Sequence, residues 1–148
     1  RSGDSAAAGF DWPTDTEAIC RLEQEIYQTL CELRRNFHIH SERVFLAGVG
    51  SGATFALRLL FQRAEWFAGA FALGGELPPF DSQTALHPEL MERRICLRMT
   101  ASEDQQSTRL WHAAGLNLAT TIDDGPQDLA ECYRQLNHWV METICTPV

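Results

Sequence analysis

One stretch of the chain has the residue types and spacing that nucleophilic catalysis requires, except at its central position. The apolar segment that begins at Arg43-Val-Phe-Leu-Ala runs directly into the glycine-rich turn Gly48-Val-Gly-Ser-Gly52. In the pattern G-x-S-x-G, a sharp turn between a strand and a helix projects the middle serine as a nucleophile. The middle residue here is Gly50. The segment therefore predicts the turn but lacks the hydroxyl that would do the chemistry.

Ser51 is the hydroxyl nearest to that central position. Ser51 lies one residue after Gly50 in the turn, so its side chain is expected to point away from the mouth of the site. Its backbone N–H could stabilise an oxyanion. A serine nucleophile also needs an imidazole base. The histidines precede the first predicted strand, lie in a loop or lie on predicted helices: His38, His40, His87, His112 and His138. Ser51 is therefore kept as an alternative nucleophile, and a non-catalytic protein is favoured.

The segment resembles the esterase-like branch of the α/β-hydrolase family, the phospholipase/carboxylesterase and polyhydroxybutyrate-depolymerase-like proteins. Their strand, turn and helix commonly read R-V-F-L-A-G-F-S-x-G-G, and residues 43–48 match this pattern position for position. The likeness continues through residues 63–75, where the family has a helix end, a strand and a turn of small residues. The resemblance implies an α/β fold, a three-layer sandwich with a mainly parallel sheet that forms part of the α/β-hydrolase fold.

The resemblance also implies where a catalytic triad would lie. The family places its acid in a turn after the strand that corresponds to residues 95–99, and Asp104 fits this position. The family histidine follows the next strand, where this chain has Gln127. With Gly50 at the nucleophile position, only Asp104 of the triad is retained. The resemblance therefore implies a degenerate pseudo-esterase that acts in binding or assembly, with the residual esterase based on Ser51 as an alternative.

A dinucleotide-binding protein is a second alternative. The spacing Gly48-x-Gly50-x-x-Ala53 after a strand fits a relaxed dinucleotide fingerprint, and Glu76 follows the next strand at a plausible distance for a ribose hydroxyl. The motif, however, follows a long helix instead of opening the domain, so we expect no cofactor. No metal is expected either, because the pair His38-x-His40 has no cysteine or carboxylate at ligand spacing.

Apolar patterns along the chain predict helices that alternate with strands. The capping pattern Thr14-Asp-Thr-Glu17 predicts the start of a helix with an apolar stripe from Ile19 to Phe37. Further helices are predicted at 52–63, 105–114 and 128–144, strands at 44–47, 68–73, 95–99 and 118–122, and an excursion with a short helix at 76–92. The continuous apolar strands and the alternation predict a parallel sheet covered on both faces.

This order predicts two parts of the chain and an open sheet edge. The composition of residues 1–12 predicts a mobile N-terminal arm. Residues 13–148 are expected to form a single α/β-hydrolase-like domain. The resemblance covers the later part of the fold, because the strands that the family has before its first crossover helix are not among these residues. Unpaired strand edges invite another strand, so we expect a homo-oligomer or a partner chain that covers the edge.

Composition excludes several kinds of partner. The 12 residues counted as Lys or Arg are all arginines, and the formal net charge is −8. Adjacent arginines occur only in pairs, so we do not expect a surface that binds nucleic acid. No apolar run is long enough to predict a membrane span. The five cysteines show no C-x-x-C spacing and lie in predicted helices or a strand, which predicts reduced packing residues and a cytoplasmic protein. The ligand cannot be deduced from these patterns.

Overall fold

A computed structural model describes residues 12–101, 105–125 and 128–146. Helices and strands alternate along them, as the apolar patterns predict. The helices are α1 Thr16–Phe37, α2 Ser51–Gln62, α3 Pro88–Glu92, α4 Gln106–Ala113 and α5 Leu129–Cys145. The strands are β1 Phe45–Val49, β2 Gly69–Leu73, β3 Arg94–Met99 and β4 Leu118–Ile122. Short 3₁₀ turns lie at Ser41–Arg43, Ala64–Trp66 and Thr84–Leu86.

The four strands form one parallel sheet in the order β1-β2-β3-β4. The predicted parallel α/β architecture is confirmed. The bounds of β4 are those expected from the sequence, whereas β1 runs to Val49 instead of ending at Ala47. The reason is the ladder to β2, because Gly48 and Val49 remain in register with Ala72 and Leu73.

The central strand β2 carries the core on both of its faces. All of its residues are buried, which agrees with its uninterrupted apolar sequence. On one face, Ala70 and Ala72 belong to the large core that α2 helps to form. On the other face, Phe71 and Leu73 pack against Cys132 of α5. The sheet therefore lies between two helical layers.

Strand β1 differs from β2 because it lies at an edge of the sheet. The apolar run 44–47 predicted cover on both faces, and this prediction was wrong for Ala47, which is exposed. Val49, at the end of the strand, is 56% exposed. Phe45 is half-buried beneath the ring of Trp139, at 5.6 Å between centroids. A run of apolar residues indicates a strand that can be buried, but the number of neighbouring strands decides whether it is.

Helix α1 begins one residue later than a Thr14 cap would require. Asp15 is the N-cap, and its carboxylate accepts a hydrogen bond from Ala18 N at 3.0 Å. The apolar stripe packs against the core from Ile19 to Leu30, but its end is open, with Phe37 68% exposed. Before this helix, Trp12 stacks on the ring of Phe55 in α2 with 4.7 Å between centroids. The rest of the predicted arm, residues 1–11, lies outside the described residues.

The cysteines are less buried than the sequence predicted. Cys132 is buried and Cys96 is half-buried, but Cys20, Cys31 and Cys145 are exposed, so these three are not packing residues. They lie on the outer sides of α1 and α5, where helical periodicity does not require an apolar side chain. Within the described ranges, none of the helices is both long and apolar enough to cross a membrane.

Candidate functional site

The candidate site lies at the carboxyl edge of the sheet, where the segments that follow the strands come together. Because the strands are parallel and in register, Gly50, Gly74, Thr100 and Asp123 all leave the sheet at this edge. In open parallel sheets this edge is where ligands bind. Gly74 N donates to Arg98 O at 2.6 Å, which joins the ends of β2 and β3.

Gly50 alone forms the turn between β1 and α2. Val49 ends the strand and Ser51 begins the helix, so the chain reverses within one residue. Gly50 has φ 58° and ψ −124°, in the left-handed half of backbone space that side chains with a Cβ atom disfavour. Its amide donates to Leu73 O at 2.8 Å. A Cβ atom built on Gly50 would have no heavy atom within 4 Å. The turn therefore has room for a side chain at the position where the sequence has a glycine.

The neighbouring glycines allow close packing around this turn. A Cβ atom on Gly48 would lie 2.4 Å from the carbonyl oxygen of Gly52, at the start of α2. Gly75, at φ 83°, also packs closely on the turn, because its Cβ atom would be 2.8 Å from Gly50 O. Next to it, Glu76 N donates to the hydroxyl of Thr54 at 3.0 Å. The glycine spacing that suggested a dinucleotide fingerprint thus also has a packing explanation at Gly48.

Ser51 is exposed and is the first residue of α2. The amides of Ser51 and Gly52 are among the first of the helix, which have no acceptor within the helix itself. A role of the Ser51 amide as an oxyanion donor stays a prediction.

The loops after β3 and β4 carry the other two predicted triad positions. Asp104 and Gln127 both lie outside the described residues, so the geometry of these positions remains a prediction. The described parts of the two loops are joined, because Ala101 N donates to Asp124 Oδ1 at 2.9 Å. A second link is the ion pair of Arg98 with Asp123.

Arg98 is the residue of this edge that the sequence reasoning missed. Its side chain is 14% exposed and bonds both the carboxylate of Asp123 and the amide oxygen of Gln135. It thereby connects β3, the end of β4 and α5. A signal was present in the sequence, because Arg98 interrupts the apolar run of a strand that is otherwise buried at alternate positions.

An apolar cavity of about 140 Å³ lies beside the turn, on the face of the sheet that α5 covers. Residues of β1, β2 and α5 line it: Ala47, Gly48, Val49, Phe71, Leu73, Leu129, Cys132, Tyr133 and Leu136. Its volume is similar to that of a cavity that holds one benzene-sized group. Nearby in the same apolar layer, burial raises the pKa of the Cys96 thiol above its ordinary value. The cavity therefore suits an apolar group.

The described ranges contain no cluster of three or more potential metal ligands. His38 is the C-cap of α1, with a left-handed backbone at φ 51°. The presence of His38 in the His38-x-His40 pair is therefore explained by its role at the end of a helix.

Comparison with known proteins identifies the fold. No family model matches the chain, and no curated protein matches its sequence. A carboxylesterase from Bacillus cereus is similar in structure, with a TM-score of 0.66 and 16% sequence identity. The alignment covers 87% of this chain and 63% of the esterase, so the chain spans less than two thirds of that enzyme's length. The chain therefore has an α/β fold similar to that of this esterase.

Proposed function

We propose that this protein is a pseudo-esterase, an α/β-hydrolase-like protein that acts in binding or assembly and not in ester hydrolysis. The observation that carries the proposal is Gly50. It occupies the single-residue turn between β1 and α2, with φ 58° and open space around its Cβ position, and it has no nucleophile.

The chemistry of the triad explains why this substitution matters. Acyl transfer by a serine hydrolase requires a nucleophilic oxygen, an imidazole that accepts its proton and a carboxylate that orients the imidazole. If Gln127 replaces the base, as the sequence suggests, the covalent route loses two of its members together. Binding and oxyanion stabilisation alone leave only about 10³-fold acceleration over water in hydrolases that lack triad members.

Binding is supported by two features of the described residues. The apolar cavity beside Gly48 and Val49 can receive an apolar group. The amides of Ser51 and Gly52 begin α2 directly after the turn residue Gly50 that follows Val49. Assembly is supported by the exposed apolar residues at the edge of the sheet, of which Val49 is 56% exposed. In this proposal the chain is a degenerate member of its fold class.

The experiment is an assay of the purified chain with p-nitrophenyl acetate and p-nitrophenyl butyrate. We expect hydrolysis at the rate of buffer, because Gly50 supplies no oxygen. The double variant Gly50→Ser, Gln127→His is expected to gain at most weak activity. The open space at Gly50 accommodates the new side chain, whereas its positive φ strains it.

A residual esterase that uses Ser51 is the second candidate, because Ser51 is exposed at the start of α2. The variant Ser51→Ala separates the two functions. Hydrolysis clearly above buffer that this variant abolishes would establish Ser51 as a relocated nucleophile and overturn the pseudo-esterase. As a matched control, Ser107→Ala changes a serine of α4 and should leave any rate unchanged.

A further inference from the structure

A polar cavity of about 590 Å³ lies at the amino edge of the sheet, opposite the candidate site. It lies where the segments that lead into β1, β2 and β3 meet the end of α5. Three arginines line this amino-edge cavity: Arg43, Arg93 and Arg94. Its volume is within the range of roughly 300–1,000 Å³ that is typical of small-molecule sites. The amino-edge cavity is therefore large enough for a small ligand.

The register of the sheet brings these arginines to one place. Arg43 ends the 3₁₀ turn before β1, and Arg94 is the first residue of β3. Gly69, the first residue of β2, is in register with Phe45 on one side and with Arg94 on the other. Strands β1 and β3 are therefore two strand spacings apart, roughly 10 Å. Long side chains from both of these strand ends can reach a ligand between them.

The three arginines of the amino-edge cavity have no carboxylate partner among the described residues. The arginines that do form ion pairs lie elsewhere: Arg21, Arg58, Arg63, Arg98 and Arg134. The side chains of Arg43 and Arg94 donate no hydrogen bond to a described residue. Arg93 donates through Nε to Ala64 O at 3.0 Å, which leaves its two terminal nitrogens for other acceptors. Guanidinium groups stay charged, so three uncompensated positive charges line the cavity.

Two carboxylates also line the amino-edge cavity, but they do not neutralise the arginines. Glu42 and Glu92 are exposed, and neither lies within 4.0 Å of an arginine nitrogen among the described residues. The described lining thus carries three positive and two negative charges, in a chain whose formal net charge is −8. A local excess of positive charge in a cavity of an acidic protein favours an anionic ligand.

A phosphate group suits these arginines better than a carboxylate does. A guanidinium group binds two oxygens of either anion through a fork of parallel hydrogen bonds. A carboxylate has only two oxygens, whereas the phosphate group of a monoester has three strong acceptor oxygens and a charge of about −1.5 to −2 at neutral pH. Arg43 approaches from the start of β1, and Arg93 and Arg94 approach from the start of β3. A tetrahedral group between them can therefore accept hydrogen bonds from both sides.

We propose that the amino-edge cavity binds a phosphate group, carried by a small monoester or free in solution, through Arg43, Arg93 and Arg94. The cavity is open to solvent, which leaves space for the remainder of a monoester beyond the phosphate. This site lies at the edge of the sheet opposite Gly50. The proposal therefore goes beyond the pseudo-esterase and does not rest on it.

The experiment is isothermal titration calorimetry of the purified chain in a buffer without phosphate, at constant ionic strength. The probes are glycerol 3-phosphate, inorganic phosphate and glycerate, a carboxylate with a similar polar skeleton. We expect saturable binding of both phosphate probes and about tenfold weaker binding of glycerate. Tighter binding of glycerol 3-phosphate than of inorganic phosphate would identify a monoester as the ligand. Equal binding of the two would identify free phosphate.

The first variants compare arginines inside and outside the amino-edge cavity. Arg43→Gln and Arg94→Gln each remove a guanidinium group that holds no other described residue, so the chain should stay folded by circular dichroism. Each should weaken binding of glycerol 3-phosphate by about tenfold, because a charge-assisted hydrogen bond is lost. The matched control is Arg109→Gln, at an exposed arginine of α4 that does not line the cavity. The control should bind within about twofold of wild type.

A second pair of variants tests the sign of the charge. Glu92→Gln removes a carboxylate from the lining and should tighten binding of glycerol 3-phosphate by about threefold, because a nearby like charge is lost. Glu89→Gln is the matched control, since Glu89 belongs to the same helix but does not line the cavity. This control should leave binding almost unchanged. Weaker binding by Glu92→Gln would contradict an anionic ligand and overturn the proposal.

Three further results would also overturn it. The first is the absence of saturable binding of both phosphate probes by the folded wild-type chain. The second is equal weakening by Arg94→Gln and Arg109→Gln, which would show a general effect of charge. The third is binding of glycerate as tight as that of glycerol 3-phosphate, which would assign the cavity to carboxylates. None of these results alters the expected lack of ester hydrolysis. Conversely, ester hydrolysis that depends on Ser51 would overturn the pseudo-esterase without changing phosphate binding.

Discussion

The carbonyl oxygen of Gly52 lies 2.4 Å from the place that a Cβ atom on Gly48 would occupy. Real Cβ atoms do not approach a backbone oxygen this closely, so the glycine at position 48 lets the start of α2 pack directly on β1. This contact sets the geometry of the turn that contains Gly50. The glycines on either side of the turn thus hold its shape independently of any catalytic residue.

The variant Gly48→Ala is expected to destabilise the chain by about 1–3 kcal/mol, since the added methyl group must displace backbone atoms. The measurement is chemical denaturation followed by circular dichroism. Gly125→Ala is the control, because its nearest neighbour would be the Asp123 side chain at 3.1 Å. The control should change the free energy of unfolding by no more than about 0.5 kcal/mol. Equal costs for the two variants would show that the turn does not depend on close packing at Gly48.

Trp111 is expected to be the most costly single core residue to remove. It is fully buried, its Nε1 donates to Pro78 O at 2.8 Å, and Phe61 and Phe80 meet its ring edge to face at 4.9 Å and 5.0 Å. Trp111→Ala should cost about 3–5 kcal/mol in urea denaturation. Trp111→Phe keeps an aromatic ring but leaves Pro78 O without this donor, and should cost less. Leu86→Ala, at a residue 75% exposed, should have almost no effect.

The raised pKa of Tyr27 leads us to expect that the folded chain loses stability at alkaline pH. Burial, together with the charge of Glu23, raises the pKa of Tyr27 to about 12 from 10.0. Its hydroxyl is buried without a hydrogen-bond partner among the described residues. The unfolded chain therefore releases this proton at lower pH than the folded chain does, so stability should fall as pH rises from 10 towards 12. The sequence contains no lysine to titrate in the same range.

The test is the melting temperature as a function of pH for three chains. Tyr27→Phe cannot ionise at this position and should show a shallower decline above pH 10 than the wild type. Tyr133→Phe is the control, because that ring is 65% exposed. A decline with the same slope in wild type and Tyr27→Phe would assign the alkaline transition to other groups.

A dinucleotide is expected not to bind. A ligand that binds only the folded state raises the melting temperature as its concentration increases. We expect no shift with NAD or NADP at about 1 mM. The glycine at position 48 is required by the contact with Gly52, and the amide of Glu76 is held by Thr54, which explains part of the fingerprint by packing. A clear shift that Glu76→Ala abolishes would instead establish the dinucleotide site.

Periodicity predicted the elements well where the pattern was local. The strand at residues 118–122 has the predicted bounds, and Asp128 caps the last helix through a hydrogen bond to Ala130 N at 3.1 Å. The predicted start of the first helix was wrong by one residue, because Asp15 and not Thr14 accepts the capping hydrogen bond. Either residue type can cap a helix, so the backbone geometry decided between them.

The candidate site was predictable in part. The glycine turn and its lack of a serine follow from residues that adjoin one another, so Gly50 could be placed from the sequence. Arg98 could not be assigned its partners, because Asp123 and Gln135 lie 25 and 37 positions away and meet it only across the folded sheet and α5. Asp104 and Gln127 lie outside the described residues and stay predictions.

The sequence by itself determined the alternation of helix and strand and the turn without a nucleophile, because each depends on residues within a few positions of one another. The alternation in turn predicted a parallel sheet. Only the tertiary structure decided which apolar residues are buried. Leu73 and Val49 are paired in the ladder and both apolar, yet Leu73 is 4% exposed and Val49 is 56% exposed. The difference arises because, among the described residues, β2 has a strand on each side and β1 has a strand on one side, and burial depends on neighbours that are distant in the chain.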